Sequence, residues 1–109
     1  MIQFDLMAVR GDETVAVEVK AYSYHNFVQK IKISLREMQA RLIKYSDFGG
    51  VTRIHYFYVL RDFIDDDYFV RAVSYASEIS AISGVDIKIG SLDDSGIVSI
   101  IWASPGLYE

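Results

Sequence analysis

The chain has 109 residues, a net charge of −4, 51% hydrophobic and 24% charged residues, and no cysteine. That length and balance suit one globular domain over residues 1–109, and exclude a disordered segment, a disulfide scaffold and a thiolate metal site. No apolar run reaches the length of a membrane span, and the N-terminus has neither the basic nor the apolar region of a secretory signal, so a cytoplasmic protein without membrane association is expected.

The first elements are two short strands, residues 2–9 and 14–21, around a turn at Gly11-Asp12. Glycine tolerates the positive φ that a two-residue hairpin loop needs. If Arg10 pairs with Glu13, the register follows by counting outward. Ala8 then faces Val15, Leu6 faces Val17 and Phe4 faces Val19, all apolar and all on one side. The other side carries Met7 opposite Ala16, Asp5 opposite Glu18 and Gln3 opposite Lys20. Two carboxylates side by side on a strand pair repel. A divalent cation, the Lys20 ammonium or a shared proton offsets that repulsion. The alternative is a solvated strand surface, which fits poorly beside Met7, Val9 and Ala16.

Residues 21–26 (AYSYHN) read as a loop, with Ser23 or Asn26 as the cap of the next helix. Over residues 27–45 apolar side chains recur at helical spacing: Phe27, Ile31, Leu35, Met38, Leu42 and Tyr45. A second line, Lys32, Arg36, Gln39 and Ile43, borders that stripe. From Lys20 to Lys44 the basic residues Lys20, Lys30, Lys32, Arg36, Arg41 and Lys44 face only Glu37. Such a stripe is either a solvated helix face or a phosphate-binding surface on an acidic protein.

Residues 47–52 (DFGGVT) stop the helix and lack the Gly-Lys-Ser/Thr of a phosphate loop. Residues 53–60 (RIHYFYVL) read as a central strand covered on both faces, with His55 a satisfied core histidine. Asp65-Asp66-Asp67 supplies a cap and favourable charge for a second helix. It runs to Ser83, buries Phe69, Ala72, Val73, Ala76 and Ile79, and stops at Gly84. Residues 85–92 and 97–103 form a second hairpin through Asp93-Asp94-Ser95-Gly96. The expectation is an α/β domain: a mixed β-sheet flanked by helices, in the order β-β-α-β-α-β-β, with strand 53–60 parallel to the strand before its helical crossover.

The chemistry concentrates on Asp5, Glu18 and Lys20. Glu18 and Lys20 are two apart on one strand and share a face, which Asp5 joins across the hairpin. Paired carboxylates on rigid strands suit Mg²⁺ or Mn²⁺, hard ions that take oxygen ligands and retain water. A lysine beside them stabilises charge on a phosphate. His25 and His55 have no metal-ligand spacing. Tyr22 and Tyr24 flank the motif, where aromatic rings stack on bases.

Asp5 followed by Glu18-Val19-Lys20 on the two arms of a hairpin, leading into an amphipathic helix, resembles the PD-(D/E)xK nuclease superfamily. The resemblance covers roughly the first half of the chain. It implies a restriction-endonuclease-like fold and Mg²⁺- or Mn²⁺-dependent hydrolysis of DNA. By it, Asp5, Glu18 and the Val19 carbonyl are metal ligands and Lys20 is the catalytic lysine. Gln39 corresponds to a helix glutamine of RecB-like members, although Ile43 stands where those carry tyrosine; its alternative is a surface glutamine. Two departures are visible: Phe4 replaces the family's proline, and the chain starts at the hairpin instead of a helix bearing a further acid. That helix is then in a part not present, or supplied by a partner or a second copy, or the domain has lost catalysis. Three readings result: a metal-dependent endonuclease or exonuclease, a catalytically silent nuclease-fold domain for DNA binding or assembly, or a small α/β interaction domain with an incidental Glu-x-Lys.

Overall fold

A computed structural model describes residues 5–45 and 53–105, with the backbone alone for residues 6–8, 10 and 42–45. The elements run β1 (Leu6–Arg10), β2 (Glu13–Ser23), α1 (Tyr24–Tyr45), β3 (Arg53–Arg61), α2 (Asp67–Ser83), β4 (Asp86–Leu92) and β5 (Val98–Ala103). The strands form one mixed sheet in sequential order. β1 and β5 are antiparallel edges, and β2, β3 and β4 run parallel. Among the described residues no helix is long and apolar enough to cross a membrane.

The hairpin register is the one counted from Gly11-Asp12: Leu6 pairs with Val17, Met7 with Ala16, Ala8 with Val15 and Arg10 with Glu13. Gly11 takes φ 61°, as the turn requires. The expected partners Gln3 and Phe4, the connector 47–52 and the tail after Pro105 lie outside the described residues.

β2 is longer than its sequence pattern suggests. The predicted loop 21–26 is absent: residues 21–23 extend the strand and Tyr24 opens the helix. Parallel pairing with β3 continues to Ser23 opposite Arg61, and this tertiary ladder overrides the turn propensity of Ser and Asn. Ser23 is the residue that caps, its Oγ accepting the Asn26 N–H at 3.4 Å. For α2 the cap is Asp66, whose carboxylate accepts the Phe69 N–H at 3.1 Å. Gly84 ends α2 at φ 74°, donating to the Ser80 carbonyl at 2.9 Å.

Both helices pack on the same face of the sheet. Strands added in one direction by right-handed crossovers put successive helices on one side. Phe27, Ile31, Leu35 and Met38 of α1 and Phe69, Ala72, Ala76 and Ile79 of α2 close over Tyr56, Tyr58, Leu60, Ile87 and Ile89. The buried Tyr58 hydroxyl is satisfied by Ser34 Oγ at 2.7 Å. β3 is therefore central in the sheet but not covered on both faces: Phe57 and Val59, on the side away from the helices, are only half-buried. His55 shares that side, half-buried and 3.6 Å from Asp86 Oδ2, rather than lying in the core.

On that second face Phe57 and Val98 close over Gly90. A methyl added at Gly90 meets Val98 Cγ1 at 2.5 Å and the Phe57 ring at 3.3 Å. Gly90→Ala is expected to cost about 1–3 kcal/mol, the usual penalty for overpacking. Urea denaturation measures it, and an unchanged midpoint would mean that β5 shifts aside freely.

Candidate functional site

The hairpin register carries Asp5 to the position opposite Glu18. The Val19 N–H donates to Asp5 Oδ2 at 2.9 Å. Asp5 is held below the ordinary carboxylate range, first by the Val19 N–H and then through space by Lys20 and Arg41. Lys20, half-buried on β2, shares the Glu18 face by strand alternation. Asp5 therefore lies beside the segment of β2 that carries Glu18 and Lys20.

Glu18 has a partner that the chain's charge pattern concealed. It is 5% exposed, lying between β2 and α1. Arg41, on the last turns of α1, forms an ion pair with Glu18 through Nη1. The same nitrogen donates to the Tyr56 hydroxyl at 3.2 Å. Tyr56 sits directly beside Glu18 in the parallel ladder. A charge pattern counts Arg41 into a basic, solvated stripe. Its spacing held the signal: Arg41 follows buried Met38 by three positions, which puts it on the inward-facing side of the helix.

That geometry bears on Gln39. Gln39 is half-buried and follows buried Leu35 by four positions, so it flanks the packed side of α1 as Arg41 does. Tyr24 is not a base-stacking platform. It is buried, its hydroxyl bonded to Asp66, and its ring packs edge-on against Phe63. Burial, and then Asp66, push its pKa upward. Tyr22 stacks on Tyr58 with centroids 6.3 Å apart. His25 is exposed in the first turn of α1, its Nε2 3.2 Å from Gln29 Nε2.

A concavity of about 580 Å³ opens at the carboxyl ends of β2 and β3, lined in part by His25, Gln29, Asp62, Asp66 and Tyr68. Asp62 there holds a left-handed backbone at φ 57°. Its carboxylates disfavour a phosphate ligand, whereas Lys20 and Arg41 bring positive charge to the hairpin site.

No protein-family model matches the chain, and comparison with curated proteins and with solved structures returns no match.

Two outcomes are expected. Arg41→Met strands a buried carboxylate and should lower stability by about 2–4 kcal/mol, most of it regained when Glu18→Gln is added. Chemical denaturation of the wild type, both single variants and the double variant gives the coupling, and an additive cycle would mean the pair is energetically idle. The Tyr24 hydroxyl and the helix N–H groups hold the Asp66 carboxyl below its ordinary value. A depressed folded-state value adds stability above the unfolded value near 4, lost as pH falls through the folded value. Thermal melts against pH should therefore show a shallower acid loss for Asp66→Asn, and superimposable slopes would remove Asp66 from acid unfolding.

Proposed function

We propose that Asp5, Glu18 and Lys20 form a metal-dependent phosphodiester-hydrolysing site of the PD-(D/E)xK kind, on a restriction-endonuclease-like fold acting on DNA. One observation carries this reading: the two-residue turn sets a register in which Asp5 takes the Val19 N–H, next to Glu18 in the chain, with Lys20 on the Glu18 face. The β2–α1–β3 crossover supports the fold assignment.

The donor set suits a hard cation in kind. It offers two carboxylates from neighbouring strands and no nitrogen or sulfur ligand. Among the described residues no group of three or more His, Asp or Glu gathers. The remaining positions would fall to the Val19 carbonyl and to water, as Mg²⁺ prefers. When bound, such an ion polarises a phosphoryl oxygen and makes its bound water a nucleophile near neutral pH.

The chain's own groups do the rest. The Val19 N–H fixes Asp5 as an acceptor on the rigid ladder. An aspartate is ionised at neutral pH, and the Val19 N–H extends that state to lower pH. Lys20 holds positive charge where the phosphate becomes more negative, an electrostatic effect that strengthens as water is excluded. The ion pair between Arg41 and Glu18 favours a second reading. In it, the domain binds DNA or assembles with a partner or a second copy without cutting.

Incubating the full chain with supercoiled plasmid and Mg²⁺ or Mn²⁺ separates the two. Metal-dependent nicking is expected, abolished in Glu18→Ala and slowed about 10²–10³-fold in Lys20→Ala. Nicking unaffected by either substitution would overturn the assignment, and metal-insensitive binding without cleavage would favour the second reading.

A further inference from the structure

We infer that Arg41 is the resident cation of the carboxylate site, so that a metal ion binds only by displacing its guanidinium from Glu18. The inference rests on the metal-site reading above and adds a residue that the motif does not contain.

Glu18 is almost wholly buried, and a buried ionised carboxylate is costly without a compensating charge. Arg41 supplies it through Nη1. A divalent ion shared by Asp5 and Glu18 would serve the same oxygens. Two cations on one carboxylate repel, so each weakens the other's hold.

Arg41 has the means to yield. Its side chain is 25% exposed, against 6% for Glu18, so part of it already meets solvent while Glu18 does not. The Tyr56 hydroxyl accepts from the same nitrogen and remains as an anchor when Glu18 is given up. Arginine suits this role better than lysine, because its several N–H donors serve a carboxylate and a hydroxyl together. The consequence is a site that is electrostatically complete without metal and takes metal weakly. Arg41 is thus a positioning residue that sets metal affinity.

The test is titration of Mn²⁺ alone into the wild-type chain, Arg41→Met and Glu18→Gln. Calorimetry reads affinity, and thermal melts with and without Mn²⁺ serve as a second measurement. Arg41→Met should bind Mn²⁺ about tenfold more tightly, the effect of removing one charge beside an ionic site. Its melting temperature should rise more with Mn²⁺ than that of the wild type, an effect still readable if the metal-free variant is partly unfolded. Arg41→Lys keeps the charge and should stay near the wild-type affinity. Equal or weaker binding by Arg41→Met, with binding lost in Glu18→Gln, would overturn the role of Arg41 and leave the metal site standing. Mn²⁺ binding that persists unchanged in Glu18→Gln, or is absent from the wild type and Arg41→Met alike, would overturn both.

Discussion

The parallel ladder between β2 and β3 is the constraint on which the rest of the molecule depends. It pairs nine residues, from Val15 opposite Arg53 to Ser23 opposite Arg61. Parallel neighbours cannot be joined by a tight turn, so the chain must leave the sheet and return. α1 is that return path. It runs back over β2 and β3, and its apolar stripe seals the face that carries Glu18, Tyr56 and Tyr58. The carboxylate site exists because one strand of this ladder also forms the hairpin with β1. β2 is thus shared between the two pairings: its Val19 N–H takes Asp5, and its Glu18 takes Arg41.

Placing both helices on one side has a cost and a use. The cost is an apolar second face on which Val19, Val98 and Ile100 stay 48%, 40% and 54% exposed. The use is a floor of packed side chains beneath the site. Met38 and Leu35 are fully buried, which fixes the end of α1 and with it the Arg41 backbone. A guanidinium on a fixed helix, opposite a carboxylate on a paired strand, loses less freedom on pairing than two surface side chains do. That is why the Arg41–Glu18 contact differs from Arg53 with Asp86 and Glu13, where the side chains remain more open to water.

The local features were legible in the chain. Gly11-Asp12 between alternating strands specifies a two-residue turn, and a turn of known length dictates every pair outward from it. Asp66 and Gly84 bracket α2 because a carboxylate satisfies free N–H groups and glycine accepts φ 74°. Phe27, Ile31, Leu35 and Met38 recur at helical spacing and are buried. Where the reading erred, a longer-range contact had decided. Ser23 and Asn26 favour a turn, yet pairing with β3 draws residues 21–23 into the strand. Tyr24 reads as a free aromatic, yet Asp66, forty-two positions away, takes its hydroxyl.

By itself, the sequence determined the hairpin, its register and the shared face of Glu18 and Lys20, because a turn and a two-residue alternation are local rules. Only the tertiary structure decided which cation sits on Glu18. Lys20 is two residues away along the strand, but Arg41, twenty-three positions on, arrives by way of the crossover helix. Sequence charge patterns count Arg41 among the solvated basic residues, since they carry no information about which side of α1 meets the sheet at its last turns. That contact turns a pair of adjacent carboxylates from an open repulsion into a compensated one.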